Sequence, residues 1–466
     1  MDRHPPSLES LKRGVTDLAT TYHAREWTSE AKGLEKALTT AEERTITDAS
    51  LDATITTLEE LGALVKTCLY RKLWIIAEDL GILVLETSEA LQGERNPITM
   101  SAMNSLASAY WGRGQLDQAA PLALRVTNLR RRLLGESHPQ TLASMTNLAS
   151  IYRGQGHWPE ALKLDLKTFE MKKKTLGATH SSTLASMANL AVSYTNLGQY
   201  DEAETIAREL VNLGESLLSE NDVSRSSLSS LLNWKLSLAS TYRDQGRLGP
   251  AEELEREVVA TSRASLGTNN PFTLTSMANL ASTYREQGRL PDAERLEKEV
   301  VSTSETVLGE THPQTLMSIS NLGSTYRNQG RLEEAKNLGE KATMVMKDVL
   351  GERHPFTLVA MADLAMTYQV KQQSPDAEIL AARSLRLMEE TIGKDHPYTL
   401  SAMANLGSIY QSQSKWDVAG GMAETVYVGR EKMFGKDHPD TLAALEDLRR
   451  VAWVEAADQN AQPTLN

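Results

Sequence analysis

The chain has 466 residues, a formal net charge of −12 and only 5% aromatic residues; so negative a molecule repels a phosphate backbone, and no nucleic-acid partner is expected. Its single cysteine, Cys68, excludes an intramolecular disulfide and fits a reducing compartment. The best apolar run, Leu73 to Leu85, is broken by Glu78 and Asp79, and MDRHPPSLESLKRG lacks the apolar core of a signal peptide, so a soluble, cytoplasmic protein without a membrane span is expected.

Residues 1–95 are the least regular part. Leu18, Tyr22 and Ala31 nevertheless keep a spacing that recurs later, and Ala77 and Gly93 lie one period before Ala119 and Gly135. The stretch predicts two degenerate helical hairpins, roughly 7–45 and 50–92, that cap an array, with Trp27 and Trp74 packed inside them.

From Pro97 the period is strict. Pro97, Pro139, Ser181, Pro271, Pro313, Pro355, Pro397 and Pro439 recur every 42 residues, except that Ser181 to Pro271 spans two repeats and six extra residues. The extra residues fall in SENDVSRSS, Ser219 to Ser227 (219–227), a polar loop that accepts length cheaply. Each repeat of 96–438 reads as helix A, a short turn and helix B. The His-Pro step starts helix A, apolar residues three and four apart follow, as in Leu142, Met145, Leu148, Ala149 and Tyr152, and a Gly ends it. Gln372 and Ser414 replace that Gly in the last two full repeats, so different turns are expected there. Helix B should carry its carboxylates largely outward, as in DAERLEKEVVSTSETVL from Asp292. A lone helix A over 439–455, to about Val454, reads as a solvating cap, and 456–466 as a disordered tail.

A Leu at 106, 148, 190, 238, 280, 322, 364 and 406, a Tyr four residues later and an Ala from Ala119 to Ala419 hold their places in all eight full repeats. Leu and Tyr at i and i+4 share a helix face, and the Ala lets helix B approach it, so these are core positions. The pattern N-L-A-x-x-Y-x-x-Q-G-x-x-x-x-A with a closing L-G-x-x-H-P resembles tetratricopeptide repeats of the 42-residue kinesin-light-chain type over about 97–454. Similar arrays form the sensor part of fungal nucleotide-binding receptors, but this chain has no G-x-x-x-x-G-K-[ST] phosphate loop. The resemblance implies an all-α fold, a right-handed α-solenoid superhelix of TPR helical hairpins, with A helices lining a concave channel.

In that family a side-chain Asn before the recurring Leu grips the backbone of a bound peptide. The matching residues are Asn147, Asn189, Asn279, Asn321 and Asn405, with departures at Ser105, Ser237 and Asp363. An amide has the donor and acceptor that a peptide group needs; the plainer reading is an exposed or helix-bridging Asn. After the Tyr come Arg153, Arg243, Arg285 and Arg327, with Trp111, Thr195, Gln369 and Gln411 elsewhere. A row of guanidinium groups would favour carboxylates, hence an acidic partner; the plainer reading pairs each Arg with the acidic B helix of its own repeat.

Six of nine histidines, His138, His180, His312, His354, His396 and His438, are one repeated structural residue, and His4, His23 and His157 have no ligand spacing, so no metal is expected. No Ser-His-Asp arrangement, H-E-x-x-H or glycine-rich phosphate loop nominates catalytic residues or a cofactor. The leading expectation is a non-catalytic scaffold that binds an extended peptide or partner segment. The alternative is an enzyme with a small-molecule site inside the superhelical channel.

Overall fold

In the computed structural model the described residues are 13–20, 51–71, 73–220, 225–372, 374–436 and 438–461, and their only regular structure is helical. Their contacts divide the chain into an N-terminal body, Met1–Gly154, and a C-terminal body, Gln155–Asn466. The first holds α1 (Leu51–Tyr70), α2 (Trp74–Gln92), α3 (Pro97–Gly112), α4 (Leu116–Leu134) and α5 (Pro139–Gly154). The second begins with α6 (Trp158–Leu176), α7 (Ser181–Asn196), α8 (Tyr200–Glu220), α9 (Arg225–Asp244), α10 (Leu248–Ser265), α11 (Pro271–Glu286) and α12 (Leu290–Val307). It continues with α13 (Pro313–Asn328), α14 (Leu332–Leu350), α15 (Pro355–Val370), α16 (Ser374–Thr391), α17 (Pro397–Ser412), α18 (Trp416–Phe434) and α19 (Pro439–Ala461). Most of the hairpin expected over 7–45, including Tyr22, Trp27 and Ala31, lies outside the described residues. Trp74 is half-buried and its ring lies against Gly112 of α3, in the next repeat. Helix α19 continues past Val454 to Ala461.

The recurring histidine starts six of the A helices. Its Nδ1 accepts the backbone N–H two residues on, at 3.0–3.2 Å in His138, His180, His312, His354, His396 and His438. Asn96 and Asn270 make the same cap with Oδ1, at 2.8 and 2.9 Å. An accepting Nδ1 requires an unprotonated nitrogen there, so the imidazole stands in for an Asn side chain. The Thr two places after the Pro ties the end of the previous helix to this start: Thr141, Thr273, Thr357 and Thr399 donate to Gly135, Gly267, Gly351 and Gly393 carbonyls at 2.7–2.9 Å.

Helix A ends in a left-handed residue, after which the chain amide returns to the Tyr carbonyl, as in Arg289 N to Tyr284 O at 2.8 Å. Gln372 and Ser414 keep this geometry, with φ of 61° and 59°, although neither is glycine. The expected difference in those turns is therefore absent; Lys415 N still reaches Tyr410 O at 2.9 Å. Hydrogen bonding over-determines the turn, and the side chain tolerates the strain.

The recurring Leu residues are 2–5% exposed and the Ala residues at 119, 161, 203, 251, 293, 335, 377 and 419 at most 1%. Within each body every helix packs on its neighbours in sequence, and A helices also touch the A helix of the next repeat, as α3 touches α5 and α15 touches α17. Among the described residues no comparable contact joins B helices. The A helices therefore form the inner wall and the B helices the outer one. Replacing Ser414 by Gly removes a left-handed non-glycine residue and should raise the melting temperature of the full chain by the equivalent of ~0.5–1 kcal/mol. Ser412→Gly, inside helix α17, should lower it; a calorimetric scan of both decides.

Candidate functional site

The five Asn fall at one place on five A helices, interrupted by Ser237 and Asp363, and all are half-buried. Asn147 is committed to its own body: its Nδ2 lies 3.1 Å from Ser108 Oγ, 3.3 Å from Asn104 O and 3.4 Å from Asn104 Oδ1. The side chains of Asn189, Asn279, Asn321 and Asn405, all in the C-terminal body, form no hydrogen bond among the described residues. At the same place Asp363 presents a carboxylate that accepts no hydrogen bond there, and burial raises its pKa above the ordinary range while Arg327 opposes the rise.

The Arg row is fastened to the scaffold. Arg243 Nη1 reaches Glu255 Oε1 at 3.3 Å and the Asn279 carbonyl at 3.5 Å; Arg285 Nη1 reaches Glu297 Oε1 at 3.0 Å and the Asn321 carbonyl at 3.3 Å. These carboxylates belong to the B helices of the same repeats but point inward, 1% and 3% exposed, against the expectation of outward carboxylates. Burial pushes both above the ordinary carboxylate range. Asp165 is the equivalent residue on α6, and accepts from Ser193 Oγ at 2.7 Å. Arg327 differs, because Gly339 occupies that place on α14. Its Nη1 donates to the Asp363 carbonyl at 3.0 Å and Thr367 Oγ1 at 3.4 Å, and burial lowers its pKa. Arg153 donates to Ser150 Oγ at 2.9 Å.

A second set of cations follows the turns and escaped the sequence reading. Arg247, Arg289 and Arg331 lie over Tyr242, Tyr284 and Tyr326 of their own repeats, at 4.4, 4.2 and 3.9 Å from the ring centroids. Each also pairs with a carboxylate of the preceding repeat, Glu204, Glu252 and Glu294, at 2.6, 2.9 and 2.8 Å. Hydrogen bonds from Lys298, Arg331 and Gln329 hold the Glu294 carboxyl down at about 2. The Q-G-R run that recurs at these turns was the available signal.

A hollow of about 220 Å³ lies between α1, α2 and α3, lined by Leu58, Val65, Val84 and Ile98 with Glu59 and Lys66. It is smaller than the roughly 300–1,000 Å³ of small-molecule pockets. Among the described residues no cluster of three or more His, Cys, Asp or Glu could hold a metal ion, and no helix is long and apolar enough to cross a membrane.

Family models described as tetratricopeptide repeat match residues 99–174, 140–216, 314–390 and 358–427, and a second model of that description matches 231–272 and 273–314. No curated protein matches. Among solved structures, a putative kinesin light chain of Podosopora anserina with nearly identical TPR-like repeats is 28% identical, covering 44% of this chain and 97% of its own (TM-score 0.36). BtubC (BKLC) from P. vanneervenii is 17% identical over 57% of this chain and 95% of its own (TM-score 0.39). The apo quorum sensor NprR from B. thuringiensis is 14% identical over 80% and 98% (TM-score 0.48).

The two Arg environments predict unequal mutants. Arg285→Ala leaves the buried Glu297 carboxylate uncompensated and should cost ~3–5 kcal/mol. Arg327→Ala forfeits hydrogen bonds to a carbonyl and a hydroxyl, ~1 kcal/mol each. Thermal melts of both variants should separate them clearly; equal losses would mean that Glu297 is not charged in the folded chain.

Proposed function

This chain belongs to the tetratricopeptide repeat family, and from that premise we propose that it is a protein-interaction scaffold whose C-terminal body holds an extended peptide along its A helices. The observation that carries the reading is the set of four amides, Asn189, Asn279, Asn321 and Asn405, equivalent in position, half-buried and making no hydrogen bond among the described residues. A primary amide offers two donors and an accepting oxygen, the complement of a peptide N–H and C=O. Neighbouring helices lie ~8–10 Å apart and an extended chain advances ~3.3 Å per residue, so one repeat meets about three ligand residues.

Of the guanidinium groups with carboxylate-bearing sister repeats, Arg327 has its repeat's partner position filled by Gly339, which supports it as the contact for an acidic ligand side chain. Arg243 and Arg285 are already compensated by Glu255 and Glu297 and contribute mainly to the wall. Asn147 and Arg153 belong to the N-terminal body, where the Asn147 amide is taken up by Asn104 and Ser108. The single, buried Cys68 fits a reducing compartment, and the cytoplasm is the location we assign on that ground.

Peptides selected by the full chain from a random display library are the probe. Asn279→Ala with Asn321→Ala removes backbone hydrogen bonds worth ~0.5–1.5 kcal/mol each, so affinity should fall about tenfold or more for every selected peptide. Arg327→Gln should weaken only acidic peptides and flatten their salt dependence. Failure to select peptides, or selected peptides indifferent to both changes in folded protein, overturns the proposal.

A further inference from the structure

We propose that the C-terminal body is latched: the turns that open its first two B helices, at Gly156–Trp158 and Gly198–Tyr200, clasp the loops that precede α17 and α19. Trp158 stacks on Phe434 with ring centroids 4.9 Å apart, Phe434 stacks on His438 at 4.4 Å, and Tyr200 meets His438 at 6.0 Å. A Cβ at Gly156 would lie 2.9 Å from Pro397 Cδ, and one at Gly198 would fall within the His438 ring; the turn glycines Gly246, Gly288 and Gly330 face open space. The two contacts lie one 42-residue step apart on both edges, as they must if successive coils of the solenoid abut.

Three further observations mark the same edges. Among the capping histidines only His396 and His438 are buried, at 6% and 9% exposure, although all six do the same capping job. The first residue of helix B is aromatic at Trp158 and Tyr200, as it also is at Trp74 and Trp416, whereas the three repeats after Tyr200 have Leu248, Leu290 and Leu332. The residue before the Gly that closes the repeat is Phe434 where other repeats have Leu134, Leu176, Leu308 or Ile392. Repeat packing alone does not demand an aromatic residue at either place, since several sister repeats have Leu there. What Trp158, Tyr200 and Phe434 add is aromatic area, which is well suited to a contact between rings. The latch closes the wall of the inner channel along this edge, and opening it means separating the two coils.

The test uses no ligand and is independent of the peptide reading. Spin labels on Asp201→Cys and Lys436→Cys, in the full chain with Cys68→Ala, report the distance across the latch by double electron–electron resonance. His438→Asn keeps the helix cap, as Asn96 and Asn270 do naturally, and removes the ring; Phe434→Ala removes the opposing one. His180→Asn is the matched control at an exposed cap. The parent and the control should share one narrow, short distance distribution. His438→Asn or Phe434→Ala, with helicity by circular dichroism unchanged, should lose it to longer and broader distances. A long, broad distribution in the parent, or a retained narrow one in both variants, overturns the latch.

Discussion

A hairpin of two short helices cannot bury its own apolar stripe, so every repeat depends on the face it shares with the next. That face is built on one geometric allowance. An Ala at most 1% exposed lets helix B approach the Leu of helix A. The apolar contact is non-directional, and the register of one repeat on another needs polar devices. Three recur: the guanidinium reaching the next carbonyl along the inner wall, the Arg stacked on its Tyr and paired backward to a Glu, and the Thr bound to the preceding Gly carbonyl. Each links residues in adjacent repeats or at their junction, so the array's rigidity is local and repeated.

This arrangement puts the inner wall under two demands. The groups nearest a channel ligand are also those nearest the next repeat, and most are consumed there. Asn147 bridges to Asn104 and Ser108, and Arg285 is held between Glu297 and the Asn321 carbonyl. On the proposed reading, recognition falls to what the scaffold does not use, the amides of the C-terminal body and the neighbourhood of Arg327. There the charge has moved: a carboxylate that sister repeats bury beneath the Arg is replaced by Gly339, and a carboxylate appears on the wall at Asp363. On that reading, a ligand passing from α13 to α15 meets both signs within one repeat step.

The period, the helix boundaries, the Leu and Ala core and the place of the Asn row were legible in the sequence, because each rests on short-range spacing; the Tyr expected in the core is buried only at Tyr242, Tyr284 and Tyr326 and half-buried in the other five repeats. The capping role of the histidines was half visible; the Pro marked the helix start, but the Nδ1 acceptor required coordinates. The pairing of Arg243 and Arg285 with the acidic B helix of their own repeats was the plainer of two readings; the burial of Glu255 and Glu297 was not legible, because a carboxylate on an acidic helix reads as solvated until the facing Arg is seen. Ser414 misled in the other direction, since local preference yields to a turn whose hydrogen bonds are fixed on both sides. The contacts of Trp158 and Tyr200 with the far end of the body arise from accumulated curvature, which no window of one repeat contains. Their aromatic substitutions were the visible trace.

Abutting coils also change how such a body answers force. An open solenoid behaves as a spring in both directions, bending its many soft inter-repeat contacts. With Gly156 against Pro397 and Gly198 against His438, the C-terminal body rests at its closed length along that edge. Compression there meets hard-sphere contact at once, whereas extension has only to part a few stacked rings. The element is mechanically one-sided: stiff when pushed, compliant once pulled past a short-range threshold.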